Sequence, residues 1–165
     1  MSIQREIKQS RPFAAPTQEA TVALLRTADL VRRSVTAVIE PHGITLQQYN
    51  VLRILRGAGS KGLPTLEIAQ RMIEQTPGIT RLIDRLEKKR LVLRERCPTD
   101  RRQVFCFITQ EGLSLLRGLD APIRRSEDVA LGGLSWRQLE QLLGLLDRAR
   151  TSLQAALLAQ PARGN

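Results

Sequence analysis

Between Pro64 and Thr109 the spacing of apolar residues changes from helical to strand-like, and this change limits the folds open to the chain more than any other feature. Ile68, Ala69 and Met72 mark a short helix that opens near Pro64 and Thr65. After a short break, Ile79, Leu82, Ile83 and Leu86 fall at i, i+3, i+4 and i+7 of a second helix. Thr76 followed by Pro77 reads as its N-cap and first helical residue. Burying that apolar stripe turns Thr80, Arg81, Asp84, Arg85 and Lys88 the other way, onto a charged outer face. The period then shortens to two. LVLRERC, PTDRR and QVFCFIT read as two short strands around a basic tip. Two short helices, the second with a polar outer face, followed directly by a basic hairpin, predict a winged helix-turn-helix.

Long helices are expected on both sides of this middle. Thr17 offers an N-cap with Glu19 in the first turn, and Leu24, Ala28, Val31, Val35 and Val38 then form one stripe that stops near Pro41, His42 and Gly43. Thr45 with Gln48 has the pattern of a capping box opening a further helix, with Leu46, Val51, Leu52 and Leu55 on its apolar face and the Gly57 to Gly62 turn at its end. After the hairpin, Thr109 caps a helix carrying Leu113, Leu116 and Ile123, which Gly132 and Gly133 terminate. Ser135 with Gln138 gives a second capping box, Trp136 reads as a packing anchor, and Leu139, Leu142, Leu146, Ala149, Leu153 and Ala156 follow at steps of three and four.

The terminal stripes exceed what a small core can cover, so Leu24, Val31, Val35, Leu139, Leu142, Leu146 and Leu153 are expected to pair two copies of the chain. The fold class expected is mainly α with a small β-hairpin wing, in one folding unit of 165 residues. Along the chain this gives a flexible N-terminal arm over 1–16, a dimerisation helix over 17–44, a DNA-binding lobe over 45–109 and C-terminal dimerisation helices over 110–160.

Charge narrows the partner. Lys and Arg number 26 against 16 Asp and Glu, a net +10 that favours a polyanion. Nine basic residues against four acidic ones lie between 76 and 102, so half of the excess sits on the predicted helix and wing. Aromatics are 3% of the chain, too few for stacking unpaired bases, which favours double-stranded DNA. No stretch approaches the ~20 apolar residues of a membrane span, and MSIQREIKQS lacks a signal-peptide apolar region, so a cytoplasmic protein without membrane partners is expected.

Two cysteines without a CxxC pair and a single histidine offer no metal site, and no Gly-rich phosphate loop or nucleophile elbow suggests an enzyme or a cofactor. In the hairpin, Cys97 near Gln103 would set Cys106 near Arg94, about 10 Å along the strand and too far for a disulfide. Arg101 and Arg102 at the hairpin tip suit a narrow minor groove. Asp84 and Asp100 cannot favour phosphate, so their expected role is to orient neighbouring arginines. A sequence-tolerant basic nucleic-acid-binding or architectural protein is the alternative that this charge also allows.

The runs QTPGITRLIDRLEKK and LVLRERCPTDRRQVFCFIT, followed by QEG, resemble the multiple-antibiotic-resistance regulator (MarR) family, whose wing pattern is met by Asp100, Arg102, Ile108 and Thr109. The resemblance implies a dimer built by the terminal helices, a pseudo-palindromic operator, repression, and release by small phenolic or otherwise lipophilic molecules. The recognition-helix contacts are read from the helix itself, whose N-terminal half reaches base edges in a major groove and carries Thr76, Gly78, Thr80, Arg81 and Arg85, with Lys88 on the same outer face. The resemblance adds an effector pocket near the first two helices, where His42 and Tyr49 are candidates. One position departs from the family: Arg90 stands where Gly is common, at a left-handed helix end that costs a non-glycine residue roughly 1 kcal/mol.

Overall fold

The computed structural model describes residues 2–75, 77–96 and 103–159. Where the length of the chain predicts one folding unit, contacts divide it into two compact units, Met1–Ser126 and Glu127–Asn165.

The first unit contains α1 (Ile3–Glu6), α2 (Pro16–Ile39), α3 (Leu46–Ala58), α4 (Thr65–Arg71), α5 (Ile79–Lys88) and most of α6 (Gln110–Leu131). Its strands are β1 (Leu63–Pro64), β2 (Val92–Arg96) and β3 (Val104–Ile108). Ile39, Leu52, Leu55, Ile68, Leu86, Leu116 and Leu119 are fully buried, one or two from each helix after α1, so a single apolar core holds the lobe together. Each such side chain contributes about 1.5–3 kcal/mol of burial.

Local signals set several of the helix ends as the sequence predicts. Thr45 Oγ1 accepts the Gln48 N–H at 3.2 Å while Gln48 Oε1 accepts the Thr45 N–H at 3.1 Å, the reciprocal pair of a capping box. Gly43, at φ 71°, turns the chain between α2 and α3. Ser135 and Gln138 repeat the box at the start of the last helix, with 2.8 and 3.4 Å bonds.

Other ends differ. The segment expected as a flexible arm holds the helical turn α1, whose Glu6 accepts a 2.8 Å hydrogen bond from Arg26 on α2. Thr17 is not the N-cap of α2. Pro16 occupies the first turn, the cap is Ala15, and Gln18 Oε1 accepts the Ala14 N–H at 3.0 Å.

The wing is a three-stranded antiparallel sheet in the order β1-β3-β2, one strand more than the predicted hairpin. Leu63 pairs with Cys106 and Pro64 with Phe105. Pro64 lacks an N–H to donate, which an edge strand tolerates. Gly62, at φ 59°, lies so close to β3 that a Cβ there would meet the Phe107 ring at 2.5 Å and the Cys106 carbonyl at 2.8 Å. Only glycine allows that approach. The β2–β3 register sets Arg94 opposite Cys106, as expected from the sequence, whereas Cys97 lies outside the described residues.

The second unit is built on α7 (Trp136–Ala159). No residue of α7 is buried: Leu139, Leu142 and Leu146 are half-buried, and Leu143, Leu153, Leu157 and Leu158 are exposed. Trp136 is 77% exposed, with its indole N–H donating to Glu140 at 2.9 Å, so it does not anchor the helix within this chain. On α2, Leu24 is exposed and Val31 half-buried, while Val35 packs on the core of its own unit.

Candidate nucleic-acid interface

The outer face of α5 is what the fold presents. Leu82, Ile83 and Leu86 are buried beneath it, which leaves Thr80, Arg81, Arg85 and Lys88 exposed above. Among the described residues none of Arg81, Arg85 and Lys88 has a carboxylate within ion-pair distance.

The start of α5 differs from the Thr76–Pro77 reading. Its N-cap is Gly78 in the left-handed region, at φ 87° and ψ 34°, and Pro77 precedes the helix. A Cβ on Gly78 would meet nothing within 4 Å, so backbone conformation and not space calls for glycine. Among the described residues no side chain caps this end, and the first-turn N–H groups stay open to an external acceptor.

The far end of α5 is fastened tightly. Arg90 has φ 58°, the left-handed conformation expected of the family's glycine position. Its N–H donates to the Glu87 carbonyl at 2.8 Å and the Leu91 N–H to the Leu86 carbonyl at 3.0 Å, the two bonds of a Schellman motif. Thr109 then locks the turn: its hydroxyl donates to the Arg90 carbonyl at 2.7 Å and accepts the Gly112 N–H at 3.1 Å, capping α6 with the same oxygen. Lys89 Nζ donates to the carbonyl of Gly43 in the α2–α3 turn.

Arg94 on β2 ties the wing to the helix. Its guanidinium donates to Glu87 at 2.9 Å and pairs with Asp84 at 2.7 Å. The Arg94 hydrogen bond holds the Glu87 carboxyl below its ordinary range, and Glu87 in turn raises Arg94. Among the described residues, Arg94 is the arginine that Asp84 holds. The period of β2 carries a signal for this. Arg94 falls on the same side as buried Val92, and a cation facing inward needs a partner. Thr76, Asp100, Arg101 and Arg102 lie outside the described residues.

A cavity of about 270 Å³ lies beside this lobe, lined by α2, the start of α3 and the connector between α4 and α5. Arg32, Glu40, Leu46, Asn50, Ile73 and Glu74 are among its walls. Asn50 Oδ1 accepts the Ile73 N–H at 3.0 Å, and Arg32 pairs with Glu74 at 3.1 Å, so both bonds hold the connector that leads into α5. Neither His42 nor Tyr49 lines it. His42 is exposed, and Tyr49 is buried with the Arg53 guanidinium 5.8 Å from its ring centroid.

Cys106 is fully buried, its sulfur 3.7 Å from the Thr65 hydroxyl, and burial raises its thiol pKa above the ordinary value. It is a core residue, not an activated thiol. Among the described residues no helix is long and apolar enough to cross a membrane, and no group of three His, Cys, Asp or Glu is placed to hold a metal ion.

Comparison with known proteins points the same way as this geometry. Residues 44–104, from the start of α3 to the start of β3, match the model of the MarR family. The HTH-type transcriptional regulator MhqR of Bacillus subtilis is 31% identical over 110 residues, covering 67% of this chain and 74% of that protein. The homoprotocatechuate degradative operon repressor of Escherichia coli is 27% identical over 127 residues, covering 77% and 84%. The crystal structure of a MarR transcription factor from Planctomyces limnophilus matches with a TM-score of 0.64 at 40% identity, over 82% of this chain and 98% of that one.

Proposed function

The chain belongs to the MarR family of transcriptional regulators, and from that premise we propose that it is a cytoplasmic homodimeric repressor that binds a pseudo-palindromic operator and is released by a small effector. The observation that carries the reading is the exposed face of α5. Arg81, Arg85 and Lys88 stand there without ion-pair partners among the described residues, over a stripe that is buried to Leu86 at 0% exposure. An α-helix fits the major groove, where arginine reads guanine edges, and the N–H groups after Gly78, which no side chain caps among the described residues, suit a phosphate oxygen.

In this reading Thr80, Arg81 and Arg85 supply readout and anchoring, Lys88 adds a phosphate contact, and Arg101 and Arg102 enter the flanking minor groove with Asp100 behind them. Two copies joined through the stripes of α2 and α7 set two such helices one DNA turn apart, about 34–36 Å, which makes the operator two-fold. Repression is supported by the E. coli relative, which is named a repressor. The cavity beside the connector supports an effector, since it adjoins the segment that positions α5.

The test is selection from random duplexes followed by competition at fixed salt. A repressor of this kind prefers its selected palindrome over random DNA by about 10³ or more. A ratio near one would instead make the chain a sequence-tolerant basic nucleic-acid-binding or architectural protein.

A further inference from the structure

The cavity between α2, α3 and the α4–α5 connector runs against the charge of the molecule. The chain carries +10, yet the charged side chains lining this cavity are one arginine, Arg32, and two glutamates, Glu40 and Glu74. Arg32 is already engaged, by Glu74 at 3.1 Å and by Asp29 at 3.9 Å. Among the described residues no cation lies within ion-pair distance of Glu40. The N-terminus of α3 also borders the cavity; its capping box occupies the Thr45 and Gln48 N–H groups but not those of Leu46 and Gln47. Among the charged side chains of the lining, an anionic guest would meet two carboxylates and a committed arginine.

We propose that the cavity binds a small lipophilic cation, its positive centre held by the carboxylates of Glu40 and Glu74 and its apolar body lying against Leu46, Met72 and Ile73. At about 270 Å³ the space falls at the lower limit of ligand pockets and suits one ring with a quaternary ammonium. Leu46 and Ile73 supply apolar wall, and the unbranched Met72 can adapt to the guest. This rests on the effector role proposed for the cavity and names the class of effector. The same walls lead towards DNA. Glu74 ties the connector to α2 through Arg32, and Ile73 is tied to α3 through Asn50. A cation that competes with Arg32 for Glu74 loosens one of these two ties upstream of Gly78, so ligand and operator favour different settings of α5.

The experiment is isothermal titration calorimetry on the full chain without DNA, using benzyltrimethylammonium, its neutral near-isostere benzyldimethylcarbinol, and benzoate. The cation is expected to bind roughly tenfold or more tightly than either of the others, the worth of about 1.4 kcal/mol of charge recognition. Glu40→Gln is expected to weaken the cation by about fivefold; Glu40 is exposed, and a thermal melt of the variant checks that it folds. Saturating cation is expected to lower operator affinity by at least about fivefold. Benzoate binding more tightly than the cation, unsaturable binding of the cation, an unaffected Glu40→Gln variant, or an operator affinity indifferent to bound cation would each overturn the proposal. Failure of the repressor reading is separately visible, because it shows as absent operator preference in the ligand-free protein while the calorimetry is read without DNA.

Discussion

Arg90 holds a conformation that suits glycine, and the surrounding bonds explain why it persists. The Schellman pair, the Thr109 hydroxyl on its carbonyl and the half-buried Leu91 beyond it all require the chain to turn left-handed at this residue. Arg90→Gly is therefore expected to raise stability by about 0.5–1 kcal/mol in urea denaturation, and Arg90→Ala, which keeps the Cβ, to give no such gain. Both substitutions remove the same charge, so equal effects would locate the cost in the side chain and not in the backbone. In the sequence this position stands out as a departure from a pattern. For Arg94 the period of β2 signals only that the charge faces inward and needs a partner; which carboxylates those are is known only after β2 is laid beside α5. Glu87, with its pKa depressed by Arg94, contributes stability that is present above the ordinary carboxylate range and lost as pH falls through its folded value. The stability gap between wild type and Arg94→Met should accordingly be widest near neutral pH and close on acidification. A gap constant with pH would assign the stabilisation to packing of the arginine stem.

At the scale of elements, the legible parts are those whose causes are local. Both capping boxes are read from four consecutive residues and both form. Strand β1 is two residues long, includes a proline and exists only because β3 passes beside Gly62, so no period in the sequence announces it. The start of α5 departs from its local signal for a related reason: Thr-Pro marks a helix start strongly, but a glycine free to take φ 87° sits two residues beyond the threonine. Gly78→Ala is expected to cost roughly 1–2 kcal/mol of stability in the same denaturation measurement, and to weaken operator binding by tilting the first turn of α5. The wing has its own readout. Arg102→Ala is expected to lower affinity and reduce the slope of log K against log salt by about 0.9, the share of a single phosphate neutralised by a cation. If neither quantity moves, Arg102 does not touch DNA.

For the whole molecule, the stripes are legible in the sequence and their use is not; in the proposed dimer a second chain covers them. Periodicity marks Leu139, Leu142, Leu146 and Leu153 as one face, and the structure leaves all four at least partly open. Trp136 shows the limit of that reasoning: a large aromatic at a helix start suggests an anchor, yet it stands 77% exposed, as a residue awaiting a partner would. An apolar face of this kind is costly in water and is most simply closed by a two-fold pair. Leu153, 62% exposed, tests this without disturbing the core of its own chain. Leu153→Glu is expected to convert a dimer to a monomer in sedimentation velocity while leaving the helical circular dichroism in place. Because the second half-site is then bound no more readily than the first, affinity for the full operator should fall by about 10² to 10⁴, towards that for a single half-site. A variant that stays dimeric would move the seam away from this face of α7. A monomer that keeps full operator affinity would separate DNA binding from dimerisation and leave the two-fold operator without a cause.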